Sequence, residues 1–294
     1  MSFELRFLSR DDLPDVYATF VEAFSDYAVD MRYNTEPGFA HRAVKNAVEF
    51  GSSVGAYDDG RMVGFTLVGV DDWRGTRCAF DAMTGIVKSH RGRGIAGKMF
   101  DAMLPKLRAA GVKEFWLEVL QSNAPAIKAY QRTGFRTVRE FDCFQVRVDA
   151  LRANGRPAAA IEVQAIERAD LRLYAGCLDW QPSWENSFAA IERIPDEVLL
   201  LGARYAGKRA GALVYYPNLS WIMCLAVERP YRRRGIASAL LRALKVKMVE
   251  RLDNSAPLVK VIGVEHADGG MLCFLRQAGF EQYTALYEMK MELA

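Results

Sequence analysis

Histidine is scarce in this chain of 294 residues, with three in all, and the five cysteines (Cys78, Cys143, Cys177, Cys224, Cys273) are scattered with no Cys-x-x-Cys pair. An odd number at wide spacing offers neither a disulfide framework nor a zinc site, so no metal centre is expected. No apolar run reaches membrane-spanning length, and the start, Met1-Ser-Phe-Glu-Leu-Arg-Phe-Leu-Ser-Arg, lacks the apolar stretch of a signal peptide. The cytoplasm is the expected compartment, and no membrane partner is expected. An excess of one charge is also missing. Residues 1–150 hold 20 Lys and Arg against 20 Asp and Glu, and residues 151–294 hold 19 against 16. That balance excludes the broad basic field of a nucleic-acid binder.

What remains is an ordinary globular composition, 51% apolar and 26% charged, on a chain long enough for two cores. The two halves repeat each other. Tyr57-Asp-Asp-Gly60-Arg-Met-Val-Gly64 and Tyr205-Ala-Gly207-Lys-Arg-Ala-Gly211 each join two apolar runs as tight hairpins. Arg91-Gly-Arg-Gly-Ile-Ala96 returns as Arg232-Arg-Arg-Gly-Ile-Ala237, and Thr133-Gly-Phe135 as Ala278-Gly-Phe280. Order is kept and spacing drifts by a few residues, which is duplication of a whole domain. The Asn and Pro of Leu151-Arg-Ala-Asn-Gly-Arg-Pro157 suggest a linker, so the expected domains are 1–150 and 157–294.

Each half reads as a short strand (from Phe3, or 159–166), two helices, three apolar strands, a long helix, a strand, a short helix and a final strand. Ser9-x-x-Asp12 signals the first helix start, with Leu13, Val16, Phe20 and Phe24 on one face. Second helices are expected over about 39–50 and 184–193. Pro105 is expected to kink or shorten the long helix of the first half.

A strand that runs through Arg-Gly-Arg-Gly-Ile-Ala into a helix presents backbone N–H groups at a positive helix end, and the glycines clear the approach. A plain basic turn is the alternative; its recurrence at matching positions favours an anion site. Gly92-Arg-Gly-Ile-Ala-Gly97-Lys98 also has the glycine and lysine spacing of an ATP-binding P-loop. Met99 then stands where a magnesium-holding hydroxyl is required, and the repeat has no Gly-Lys pair.

Arg91, Gly94 and Ala96, and again Arg232, Gly235 and Ala237, match the Arg/Gln-x-x-Gly-x-Gly/Ala signature, and on these residues the chain resembles the GNAT N-acetyltransferase superfamily. The resemblance implies an α/β (α+β) fold of two tandem domains, each a mixed central sheet of about six to seven strands flanked by helices. It implies acetyl-CoA as cosubstrate, its diphosphate on the turns Arg91, Gly92, Arg93, Gly94, Ile95, Ala96 and Gly97, and Arg232, Arg233, Arg234, Gly235, Ile236 and Ala237. Pantetheine would lie along the preceding strands, near Ile86, Val87 and Lys88 and near Val227 and Arg229.

The stretch from Trp116 to Phe135 resembles the second signature of the family, most of all the branch that acetylates protein N-terminal amines. In that branch the strand glutamate, here Glu118, takes the proton of the amine through water. The helix tyrosine, here Tyr130, protonates the departing thiolate, and Asn123 would bond pantetheine. The chemistry has a plain basis, since an ammonium must lose a proton to become a nucleophile and a thiolate leaves better beside a donor. Glu118 can equally be a polar residue at a strand edge and Tyr130 a core aromatic, and Asp81, one strand earlier, is the rival base or a substrate contact. In the second half Gly263, Asp268 and Leu275 stand for Glu118, Asn123 and Tyr130.

The acceptor is expected between the first two helices, in the loop 25–33, where Asp26, Tyr27 and Asp30 would suit a cationic amine; in the second half that loop is 179–186. The acceptor is a primary amine on a small molecule or a peptide N-terminus, and the sequence leaves monomer and homodimer open. A non-catalytic acyl-CoA-responsive protein, and activity in the second domain, are the alternatives.

Overall fold

The computed structural model describes residues 3–29, 35–153, 158–251 and 258–293. Asp30, and residues 154–157 of the expected linker, lie outside the described residues. Two compact units emerge, and neither is a single stretch of chain. The first comprises Met1–Arg139, Arg193–Pro195 and Tyr287–Ala294, the second Glu140–Glu192 and Asp196–Leu286.

In the first unit, β1 (Glu4–Phe7) leads to a 3-10 turn in which the Asp12 carboxylate accepts from Ser9 N at 2.7 Å and Ser9 Oγ at 2.9 Å. Helix α1 (Leu13–Ala23) follows and buries Val16, Phe20 and Ala23 at the 3.6-residue spacing. Helix α2 (Glu36–Lys45) starts earlier than expected because Thr35 caps Gly38 N, and Ala47, at φ 55°, follows its end. Strands β2 (Val54–Asp58), β3 (Arg61–Trp73) and β4 (Thr76–Ile86) form an antiparallel meander. Each of its two-residue turns, Asp59-Gly60 and Arg74-Gly75, has positive φ at both positions, the mirror-image turn that suits strand twist. Then come α3 (Ile95–Ala109), β5 (Glu114–Leu120), α4 (Ala124–Thr133) and β6 (Arg136–Arg147). Pro105 does not shorten α3, which runs four residues beyond it; the carbonyl it leaves unbonded belongs to the exposed Asp101, where water can serve it.

The second unit repeats the plan: β7 (Ile161–Ala165), α5 (Phe188–Arg193), β8 (Leu199–Tyr205), β9 (Lys208–Tyr216), β10 (Trp221–Val227), α6 (Ile236–Arg251), β11 (Leu258–Glu265), α7 (Gly269–Gln277) and β12 (Glu281–Glu292). Where α1 would recur, Arg168–Cys177 winds as 3-10 helix. Its buried residues, Leu171, Tyr174 and Cys177, are three apart, the spacing of that tighter helix. The helix expected over 184–193 is split, because Ser187 is extended between a 3-10 turn and α5.

The sheet of the first unit has the order β1-β2-β3-β4-β5-β12, with the start of β6 next; that of the second has β7-β8-β9-β10-β11-β6, with the start of β12 next. The last strand of the chain thus serves the first unit, where Met289, Met291 and Leu293 pack with Phe115 and Phe135 of its core. Phe144, Val146 and Val148 serve the core of the second in the same way. The described part of the linker is anchored too: Leu151 is buried, and Ala153 O accepts from Arg242 at 2.8 Å.

Candidate active site

In the first unit β4 and β5 run parallel from Cys78↔Glu114 to Asp81↔Leu117 and no further, although β4 continues to Ile86 and β5 to Leu120. The strands part there because β4 carries a bulge, with Val68 opposite Asp81 and Leu67 opposite Met83. Asp81 is therefore the last paired residue before the sheet opens.

Asp81 is buried, and its partners are two hydroxyls and the backbone N–H of Met83. Tyr130 Oη donates to Asp81 Oδ2 at 3.0 Å and Thr84 Oγ1 lies 2.9 Å from both carboxylate oxygens, with Thr66 Oγ1 3.0 Å behind Thr84. Burial pushes the Asp81 carboxyl up to about 6, and the two hydroxyl bonds restrain that rise. Burial first, and then the charge of Asp81, hold the Tyr130 phenol well above its usual value, so it stays protonated and can donate. The Asn123 side chain hydrogen-bonds the Tyr27 hydroxyl, while its Oδ1 caps α4 by accepting from Ala126 N at 3.2 Å. Tyr130, Asp81, Tyr27 and Asn123 are thus brought together. Glu118 follows Leu117, and alternation sends it to the other face of the sheet from Phe115, Leu117 and Val119, which share a cluster with Tyr130. A carboxylate on one face and a phenol on the other thus flank the opening. Thr66 and Thr84 were not singled out from the sequence; a threonine on a strand carries no signal of such a role.

The glycine turn lies past the end of β4. Gly92 and Gly94 have φ of 77° and 75°, Gly94 caps α3 without a side-chain bond, and a Cβ at Gly92, Gly94 or Gly97 would meet nothing within 4 Å. First-turn N–H groups of α3 therefore face outward with no side chain shielding them. The sidewall residues Val87 and Ile95 are buried and can offer only backbone. The Arg91 guanidinium is turned away from such a ligand: it donates to Ile86 O at 3.1 Å and Ala23 O at 2.6 Å, and in fork fashion to Asp26 at 3.0 and 2.8 Å. Arg91 ties the turn to the end of α1, and the bond to Arg91 holds the Asp26 carboxyl below its usual range. Asp26 thus serves the turn, with Lys88 a further 3.6 Å away, and its charge is already matched without an acceptor amine. Arg93 donates to Ser89 O at 2.9 Å.

The second unit opens at the same place. β10 and β11 pair only over Trp221↔Lys260 and Ile222↔Val261, and β10 bulges between Ile222 and Cys224. Arg232 repeats the clasp, donating to Val227 O at 2.9 Å and pairing with Asp179, which Arg229 also meets at 3.0 Å. Arg233 takes the place of Gly92 at φ 62°, Gly235 lies at 86°, Ile236 is buried and Arg234 donates to Tyr205 Oη at 3.1 Å. Strand register relates β11 to β5. Leu117 matches Val261, and past it β11 has one residue more than β6, so Ile262 and Gly263 (φ 75°) together occupy the place of Glu118. By the same register Asp81, Thr84 and Thr66 become Ile222, Leu225 and Leu213, and Tyr130 becomes Leu275. The whole polar set has turned apolar together. His266, directly after β11, has its ring at 2.9 Å from Asp142 Oδ2.

Among the described residues no cluster of His, Cys, Asp and Glu could hold a metal, and no helix is long and apolar enough to cross a membrane. In each unit the sheet opens between parallel central strands beside a glycine turn at a helix start, an α/β arrangement that suits a diphosphate with an extended arm. The chain belongs to the acetyltransferase (GNAT) family, whose model matches residues 13–135 and again 162–280. That family uses acetyl-CoA as cosubstrate, and the open turn and parted strands fit its diphosphate and its arm. The chain is 38% identical over 81 residues to N-alpha-acetyltransferase 30 of Schizosaccharomyces pombe, which covers 27% of this chain and 54% of the relative. It is 37% identical over 83 residues to streptothricin acetyltransferase of Streptomyces lavendulae, covering 28% and 42%. The chain thus spans about half the length of the curated relatives it matches. Among solved structures, a tandem GNAT protein from the clavulanic acid biosynthesis pathway superposes with TM-score 0.74 at 15% identity over 100% of this chain and 99% of that one. A GCN5-related N-acetyltransferase from Sphaerobacter thermophilus gives 0.69 at 17% over 99% and 96%. At those identities the likeness is one of fold.

Proposed function

We propose that the first unit transfers the acetyl group of acetyl-CoA directly to a primary amine, and that the chain works in the cytoplasm, where thiols stay reduced. The observation that carries the reading is the hydroxyl-bonded Asp81–Tyr130 pair at the sheet opening, beside an uncapped glycine turn. The amine nitrogen attacks the thioester carbonyl carbon, the C–S bond breaks, and two protons must leave nitrogen. Glu118, on the acceptor side, takes one through water to solvent; Tyr130, held in place by Asp81, turns its own proton to the sulfur as the C–S bond breaks and takes the second nitrogen proton in exchange. The diphosphate rests on backbone N–H groups of residues 91–97. Relatives named for N-terminal amines, streptothricin and spermine support an amine acceptor of either small-molecule or peptide kind.

The test is release of free thiol from acetyl-CoA with a panel of polyamines, amino sugars and peptides, in the wild type and in Tyr130→Phe. Loss of the donor should lower turnover by roughly 10²- to 10⁴-fold and leave CoA affinity nearly intact. Full turnover in Tyr130→Phe, together with its loss in a folded Gly235 variant, would move the chemistry to the second unit.

A further inference from the structure

The second unit keeps the turn and discards the groups that move protons, yet it holds a cavity of about 380 Å³. Its lining joins Arg232, Arg233 and Gly235 of the turn, with Tyr231 beside them, to the apolar Ile222 and Leu225 of β10. We propose that this cavity is a second acyl-CoA site, one that binds without turnover and prefers acyl groups longer than acetyl. The inference rests on the reading that the glycine turns of this chain hold CoA.

The carboxylates on its walls are engaged elsewhere and the thiols are inert. Asp179 is shared by Arg229 and Arg232, and Asp268 caps α7 by accepting from Met271 N at 2.9 Å. Burial pushes the Cys177 and Cys224 thiols up to about 11 and about 12, so at neutral pH neither accepts a proton nor attacks a thioester. The one phenol on the wall, Tyr231, belongs to the turn and lies 5.8 Å ring to ring from Tyr205, and the positions of Asp81 and Tyr130 are held by Ile222 and Leu275. Where the first unit has Asp81 and Thr84, the second presents Ile222 and Leu225, both on the cavity wall. An acetyl group is too short to cover that apolar wall, whereas each further methylene laid against it leaves water. A glycine turn and an apolar strand wall lining one cavity therefore select a ligand that has both a diphosphate and an apolar part.

Calorimetric titration of the full chain with CoA, acetyl-CoA, decanoyl-CoA and decanoate tests the proposal. Gly94→Val disables the first turn, and in that variant the remaining site should bind decanoyl-CoA at least tenfold more tightly than acetyl-CoA, with decanoate far weaker. Gly235→Val should abolish the preference. Should Gly235→Val fail to fold, Ile222→Ser leaves the turn untouched and should retain CoA binding while cutting the preference severalfold. Equal affinity for acetyl- and decanoyl-CoA in Gly94→Val overturns the proposal alone, as does a preference that persists in Ile222→Ser or decanoate binding as tightly as its thioester. Failure of CoA to bind either turn in the wild type overturns this inference and the functional reading together, and is recognised by the absence of heat with every thioester.

Discussion

At the scale of the residue, Asp81 concentrates the conflict between stability and function. Its carboxyl is buried with hydroxyl partners, and burial lifts it to about 6, above the unfolded value near 3.8. The folded state therefore holds a proton that the unfolded chain has lost. This contribution to stability is fully present below about pH 4 and is lost as pH rises through about 6. A rise of this size is worth on the order of 2–3 kcal/mol. Asp81→Asn should remove that slope and leave the protein more stable than wild type at pH 7, as measured by denaturant unfolding between pH 4 and pH 7. The same variant should lower turnover, because the anion that aligns Tyr130 is gone; stability gained at the expense of activity is the mark of a functional site. An unchanged pH slope would show that Asp81 does not titrate in this window. The sequence displayed Asp81, Glu118 and Tyr130 as separate candidates, but not that Tyr130 points at Asp81. That bond spans 49 positions in the chain and depends on a bulge whose cause is tertiary.

At the scale of the element, the two turns were legible because glycine at positive φ is a local requirement, written in the residues themselves. The clasp behind each turn was not. Arg91 reads as an anion ligand until Asp26, 65 residues away, is found against it, and Arg232 with Asp179 says the same a second time. Similarly, the extra residue in β11 leaves no mark in the sequence pattern, and only strand register shows that Ile262 and Gly263 share the place of one residue. Two predictions belong here. Gly94→Val asks a β-branched residue to adopt φ 75°, and its side chain projects into the open space over the helix start. CoA affinity at that turn should fall at least tenfold with little loss of packing, since no atom lies within 4 Å of the new Cβ; calorimetry would contradict this by showing wild-type affinity. Arg233 already bears such strain at φ 62°. Arg233→Gly should relieve about 1–2 kcal/mol, offset in part by the greater freedom of glycine in the unfolded chain, for a net gain of up to about 1 kcal/mol. A fall in the melting temperature would instead show that the arginine side chain stabilises the second unit.

At the scale of the molecule, the chain does not finish where the sequence pattern suggests. Duplicated motifs divide it neatly in two, and a final strand at 281–292 looks like the natural end of the second half. Tyr287–Ala294 instead belongs to the first unit, a fact that pattern cannot reveal because alternating apolar strands carry no address. Charge pairing supplies one. Glu288, buried in the first unit, accepts from Arg139 in fork geometry at 2.7 and 2.8 Å with Arg74 at 3.6 Å, and Lys290 donates to Glu114 at 2.9 Å. Leu293 N closes the strand on Lys113 O at 2.8 Å. Truncation after Leu286 would therefore damage the first unit, although the deleted residues lie at the far end of the chain. It removes the buried side chains of Met289, Met291 and Leu293, each worth about 1.5–3 kcal/mol, and leaves Arg74 and Arg139 without their carboxylate. The sum is comparable with the roughly 5–15 kcal/mol that holds a domain folded. The expected outcome is loss of protection from hydrogen exchange in β4, β5 and α3 while β8 to β10 keep theirs, with amine acetylation abolished. A peptide of residues 287–294 added in trans should restore part of both. Unaltered protection in β5 after truncation would show that the first unit closes its sheet without the last strand.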